Sequence, residues 1–308
     1  MNIATIFPGQ GSQSVGMLAE VSERSPIVRE RFAEASDALS FDLWQLTQQG
    51  PAEVLGQTEN TQPALLTASV ALWEALQALR DAPLTVQAMA GHSLGEYSAL
   101  VCAGAISFVD GVGLVRKRGE LMQQAVPSGQ GGMAAILGLD DSKIRACCAA
   151  VEGVVTAANY NAPGQIVIAG EKSAVTAAIQ ACKDAGAKRA VALDVSGPFH
   201  SPLMAPAAEE FSEVLNATQV HMPKITVVQN VEARPATDEH DIRANLVAQL
   251  SAPVRWTETI ERLVSDGAEQ FIEAGPGSVL SGLVKRIARG TPAVALSSPE
   301  GLDSAIGF

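Results

Sequence analysis

Basic residues are few beside acidic ones in this sequence. Lys and Arg number 21 against 33 Asp and Glu, a formal net charge of −12. A protein that holds duplex nucleic acid needs a basic face, so nucleic acid is excluded as a general partner, and an acidic partner would need a local basic patch. Cysteine is far sparser, at four residues. Cys102, Cys147, Cys148 and Cys182 form neither paired CxxC motifs nor a group with histidines. This argues against a disulfide framework or a zinc site, and for small buried thiols in a reducing cytosol. No apolar run reaches the length of a membrane span, and residues 1–8 lack the charged and long apolar regions of a secretory leader. A soluble, cytoplasmic protein without membrane attachment is expected. Repeats and low-complexity linkers are also missing.

What is present is a globular composition, 47% hydrophobic and 18% charged. A length of 308 residues is large for one core and suggests one large domain with an insert, or two domains. The chain opens with a short apolar strand, residues 3–7, followed by a Gly-rich turn, the start of an α/β pattern. Helices are expected at 26–39, at 64–79 after Thr61-Gln62-Pro63, at 96–102 and at 107–125, with a second buried strand at 86–90. From Gly131 the order changes. Strand 133–139, helix 140–151, strands 154–160 and 164–169, helix 173–185 and strand 189–195 make a βαββαβ, ferredoxin-like series. After Pro198 the chain returns to the first pattern, with strands near 225–229 and 270–273. The expected domains are therefore 1–128 with 198–308, a large α/β domain, and 129–197, an inserted small domain.

Gly91-His92-Ser93-Leu94-Gly95 matches G-x-S-x-G between a buried strand and a helix. That context holds a serine on a sharp turn, its hydroxyl exposed above a helix N-terminus that can stabilise an oxyanion. A nucleophilic serine needs a base. His92 is its chain neighbour and reads as a packing residue, while His221 and His240 lie in polar, solvated stretches. His200 follows a strand in a loop held by Pro198 and Pro202, and is the best candidate. No distinctive acid accompanies it. Asp194 is a candidate only six positions earlier, so a Ser–His dyad oriented by a neutral group stays open. Arg118 falls in the apolar stripe of Leu114, Val115, Leu121 and Met122. Burying a guanidinium costs several kcal/mol unless an anion pairs with it. That anion is either a protein carboxylate or a substrate carboxylate held in a bidentate clamp.

These segments, with Phe7-Pro8-Gly9-Gln10-Gly11-Ser12-Gln13, Asn159-Tyr160-Asn161-Ala162-Pro163-Gly164-Gln165, Phe199-His200-Ser201, Gln249-Leu250 and Glu273-Ala274-Gly275-Pro276-Gly277, resemble the malonyl-CoA:acyl carrier protein transacylase family of bacterial fatty-acid synthesis. The resemblance spans nearly the whole chain. It implies an α/β-hydrolase-like parallel-sheet core with a ferredoxin-like insert, and ping-pong malonyl transfer through an acyl-Ser93 intermediate. His200 would be the base, Gln10 and the Leu94 N–H the oxyanion hole, and Arg118 the malonyl carboxylate clamp. Gln249 would orient the histidine by its main-chain carbonyl, Asn161 would line the pocket between the domains, and Phe199 would crowd a branched acyl group. The implied partners are malonyl-CoA and an acidic acyl carrier protein, met by some of Arg116, Lys117, Lys188, Arg189, Lys285, Arg286 and Arg289. No metal or bound cofactor is expected, and the chain is expected to act as a monomer. A serine esterase or thioesterase would share Ser93 and His200 without Arg118, and a carrier-binding scaffold would need neither. A malonyltransferase of a polyketide or malonate-decarboxylase system is the alternative within the class.

Overall fold

Ile3–Phe7, every residue buried, is β1, and it lies in the middle of a six-stranded sheet. The computed structural model describes residues 2–127 and 129–308. β2 (Ala88–Gly91) flanks β1 on one side and β9 (Gln270–Glu273) on the other, both parallel to it. β7 (Thr226–Gln229) extends the sheet beyond β2 and β10 (Ala293–Ala295) extends it beyond β9. The two-residue β8 (Arg234–Pro235) pairs antiparallel at the β7 edge. Continuous apolar runs suit strands covered by helices on both faces. Parallel strands also end on the same side, so the turns after β1, β2 and β7 open together, where open α/β sheets place their ligands.

The second sheet holds β3 (Gly131–Leu137), β4 (Val155–Ala162), β5 (Gln165–Glu171) and β6 (Arg189–Ala192) in the antiparallel order β4-β5-β3-β6. With helices Asp141–Ala150 and Lys172–Asp184 this is the ferredoxin-like arrangement expected from the element order. Strand alternation divides its faces. Ala134, Ile136, Ile166 and Ile168 pack under its own helices, while Met133 and Val167 turn toward the main core. Hydrogen bonds from Tyr160 N to Val254 O and from Val254 N to Ala158 O tie it to the larger sheet's unit.

Some details differ from expectation. β6 ends at Ala192, so Leu193 to Val195 belong to a connecting segment. β8 and β10 were not foreseen, being too short to carry a pattern. The helix expected from residue 64 begins at Thr58 and runs to Ala78 with Pro63 inside it. Proline lacks the N–H that would reach the carbonyl of Glu59. Arg116 Nη1 fills that vacancy, donating to Glu59 O at 3.1 Å. The helix Phe108–Gln124 can come this close because residue 119 is glycine. A Cβ there would lie 2.7 Å from Glu59 Cα and 2.7 Å from Thr58 O, both main-chain atoms. Gly119→Ala is expected to cost about 1–3 kcal/mol through overpacking, read as a lowered melting temperature. An unchanged melting temperature would mean that the two helices are not held at this distance.

Candidate active site

Ser93 sits at the tip of the elbow, at φ +52°, a left-handed conformation that costs a non-glycine residue about 1–3 kcal/mol. The flanking glycines make the turn possible. A Cβ on Gly91 would fall 1.8 Å from Gly95 C, and one on Gly95 would fall 2.0 Å from Phe7 O. Asn230, at the end of β7, holds the turn from outside. Its Oδ1 accepts from Ser93 N at 2.8 Å and its Nδ2 donates to Gly91 O at 2.7 Å.

His200 arrives from the loop after β6, buried and also left-handed at φ +59°. Its Nε2 lies 2.7 Å from Ser93 Oγ, and its Nδ1 lies 2.7 Å from the main-chain oxygen of Gln249. A carbonyl can only accept, so Nδ1 carries the proton and the Nε2 lone pair faces the serine hydroxyl. Burial, then the nearby charge of Arg118, pushes His200 down to about 3, so the ring is neutral at pH 7. Asp194 is exposed, and the nitrogen it would have held belongs to Gln249. His221 and His240 are exposed as well.

The depressed value makes a prediction with a sign. A base with an ordinary histidine value near 6.5 would be about 90% protonated at pH 5.5. Labelling of Ser93 by a neutral serine-directed reagent is instead expected to hold its rate from pH 7 to below pH 5. A rate that halves near pH 6.5 would contradict the arrangement.

Arg118 is 1% exposed. Its Nη1 donates to Gln62 Oε1 at 2.8 Å and its Nη2 to Gln249 Oε1 at 2.8 Å, with Ser93 Oγ 3.3 Å from Nη2. Its guanidinium lies 5.1 Å from the centre of the Tyr97 ring. Its Nε is buried and has no acceptor among the described residues. No carboxylate among those residues forms an ion pair with it. Of the two readings left open for this arginine, the structural ion pair is therefore missing. A buried cation held by two neutral amides points at the serine hydroxyl.

Gln10 and Leu94 line the same cavity as Ser93, and neither of their N–H groups meets an acceptor among the described residues. The Gln10 side chain reaches only Thr58 Oγ1, at 3.5 Å. These groups enclose a cavity of about 120 Å³, whose walls include Met133, Asn159 and Phe199. One water needs only about 10–15 Å³ of such space, so the cavity has room for a short acyl chain. Asn161 is not part of this wall. Its Oδ1 instead accepts from Nε2 of His92 at 2.7 Å, and Asn159, set off from it by a break in the pairing of β4 with β5, takes the lining position. His92 is thereby held away from the hydroxyl, its ring 5.5 Å from that of Trp256, and burial lowers its basicity.

Four residues escaped the sequence reading: Gln62, Glu96, Asn230 and Asn159. Glu96 follows the elbow directly and Asn159 opens a motif already noted, so both had a signal. In the sequence Gln62 stands as a lead-in to its helix, and nothing in the surrounding pattern marks Asn230.

The acyl transferase domain family matches residues 5–296 of this chain. A malonyl CoA-acyl carrier protein transacylase of Salmonella typhimurium is 55% identical over 305 residues, covering 98% of each chain. One of Bacillus subtilis is 49% identical, covering 99% of this chain and 96% of its own. Among solved structures, an acyl carrier protein S-malonyltransferase from Vibrio cholerae superposes with a TM-score of 0.96 at 51% identity, covering 99% of both chains. A malonyl-transacylase in complex with a type II PKS acyl-carrier protein superposes with a TM-score of 0.97 at 50% identity, covering 100% of this chain and 99% of its own.

Proposed function

This chain belongs to the acyl transferase family, and we propose how its own residues carry a malonyl group from coenzyme A to the phosphopantetheine thiol of an acyl carrier protein. Ser93 Oγ attacks the malonyl thioester while His200 Nε2 takes its proton. The N–H groups of Gln10 and Leu94 receive the tetrahedral oxyanion; losing one such donor typically costs about 100- to 1,000-fold. Coenzyme A leaves as a thiol, taking from His200 the proton that Ser93 gave up; it is a good leaving group with a pKa near ~8.5 by analogy with cysteine. The carrier's thiol then gives its proton to His200 and attacks malonyl-Ser93, and His200 returns that proton to the departing Ser93 Oγ, closing a ping-pong cycle. The Gln249 carbonyl keeps the imidazole in one tautomer throughout, the part an acid plays in a triad.

One observation carries this reading: Arg118, buried, without a carboxylate partner, beside the nucleophile. A hydrolase of neutral esters has no use for such a charge, whereas the free carboxylate of a malonyl group is an anion able to contact it directly. Phe199 at the wall leaves little space for a branch at the acyl C2. Intact mass after mixing with malonyl-, acetyl- and methylmalonyl-CoA tests the assignment. A malonyl adduct in excess over the other two is expected, and it should be discharged by a thiol acceptor faster than by water. An adduct released equally by water alone would make the protein a thioesterase.

The expected basic residues divide into two groups. Arg116 is committed to Glu59 and Glu120, and Lys117 leans on Glu120 at 3.5 Å. Lys188, Arg189, Lys285, Arg286 and Arg289 are exposed. Arg189 and Gln165 both stand opposite Leu137 in the small sheet, and Arg286 Nη1 donates to Gln165 Oε1 at 2.6 Å. One rim thus collects cations from the small sheet and the end of the helix Val279–Ile287, a local basic patch on an acidic protein for an acidic carrier. Fatty-acid synthesis is the pathway we assign.

A further inference from the structure

Glu96 is fully buried at the start of the helix Gly95–Cys102 and forms no ion pair with a cation among the described residues. Three donors surround it. Asn230 N lies 2.8 Å from Oε2, Gln249 Nε2 2.9 Å from Oε2, and Gln229 Nε2 3.0 Å from Oε1. Two of these donors belong to residues that position the reacting groups. Asn230 clamps the elbow on both sides of Ser93. Gln249 gives its main-chain oxygen to His200, its Oε1 to Arg118 and its Nε2 to Ser93 O at 3.1 Å as well as to Glu96.

The amide of Gln249 therefore has a defined orientation. Its oxygen faces a guanidinium, which can only donate, and its nitrogen faces a carboxylate, which when ionised can only accept. Glu96 and Arg118 are opposite charges joined through one polarised amide, without touching. In a buried site each lowers the cost of the other. A substrate carboxylate on Arg118 would be a second anion for the same cation.

We propose that Glu96 is the positioning residue of this active site and the counter-charge of Arg118, and that it takes up a proton when a malonyl carboxylate reaches Arg118. This rests on the clamp reading of Arg118. The groups facing Glu96 leave no other charge to balance. Arg118 approaches from the helix Phe108–Gln124. Tyr97, on its own helix, is held in the phenol form by burial. His200, beyond Gln249, is neutral. From β7 and the helix Glu239–Ala248 come only the amides of Gln229, Asn230 and Asn245. Asp241, reached through Asn245, is paired with Arg234. Burial pushes the Glu96 carboxyl up to about 7, against the pull of its three hydrogen bonds and of Arg118. Screening Arg118 with a second anion raises it further, so the complex holds more protons than the free enzyme. Malonyl affinity then falls as pH rises through about 7, by at most about tenfold per pH unit for one linked proton.

Ser93→Ala protein, which cannot be acylated, allows binding to be measured by calorimetry from pH 6 to 8.5 in buffers of different ionisation enthalpy. Malonyl-CoA is expected to bring a fraction of one proton more than acetyl-CoA, which shares every other ionisable group. Adding Glu96→Gln should remove the difference. Glu96→Asp, which keeps the charge on a shorter arm, should retain the difference; in the Ser93 enzyme it should slow both substrates by about 100-fold, the effect of a misplacement near 1 Å. Equal proton uptake for the two ligands, or a difference that survives Glu96→Gln, overturns the proposal. If wild-type enzyme forms a normal malonyl adduct in that case, the transfer reaction stands and only the role of Glu96 falls. Absence of any malonyl adduct on wild-type enzyme would overturn both.

Discussion

Ser93→Ala protein mixed with malonyl-CoA is expected to show no added mass, and turnover should fall by about 10⁶-fold, the scale seen when a nucleophile is removed from a serine enzyme. The loss should be this large because no second hydroxyl can replace Ser93. The turn is built around one residue at φ +52°, and its neighbours His92 and Leu94 carry no nucleophile for the cavity. The protein should stay folded, since alanine keeps the main-chain N–H that Asn230 holds. Relief of left-handed strain is not expected, because alanine has a Cβ too. Intact mass and a melting curve read both quantities. A malonyl adduct of normal yield on this variant would sink the nucleophile assignment.

Arg118→Ala is the second large effect. Removing one partner of a buried charge pair costs about 3–5 kcal/mol, which at 1.36 kcal/mol per decade is roughly a 10²- to 10⁴-fold loss of malonyl transfer. Acetyl-CoA brings no carboxylate, so its acylation should fall far less. Loss of the arginine's charge also removes one of the two largest causes that hold His200 low, which makes the histidine a stronger base. Arg118→Lys should rescue malonyl transfer only in part. An ammonium cannot span Gln62, Gln249 and a substrate carboxylate as a planar fork does. A structural role would look different: malonyl and acetyl transfer would fall together, with a lowered melting temperature. Equal losses of that kind would end the clamp hypothesis.

Much of this site is legible in the sequence, and for local reasons. The elbow announces itself because two glycines are forced by contacts under 2 Å or at 2.0 Å, which no side chain tolerates. Ser107 and Asp140 mark helix starts because their side chains accept from main-chain N–H groups two or three residues on. Arg118 stands out because a cation in an apolar stripe violates the helix's own pattern. Errors arose where a local rule met a distant partner. Pro63 should have opened its helix, but a guanidinium from another helix satisfied the carbonyl it orphaned. Asn161 and Asn159 share a motif, and which of them faces the cavity depends on the irregular pairing of β4 with β5.

Residue order alone determined the βαββαβ insert, the G-x-S-x-G elbow and the presence of a buried cation, since each follows from short-range sterics, periodicity or desolvation. Tertiary structure alone decided what the histidine and the arginine touch. The partner of His200 is a main-chain carbonyl, a group that every residue carries, so no side-chain pattern can reveal that position 249 supplies it. Arg118 and Gln249 are 131 positions apart, and Gln249 and Ser93 are 156 apart. Distances of that kind are set by the order in which the strands pair. Neutral amides acquire their meaning there only because the folded interior excludes the water that would otherwise satisfy them.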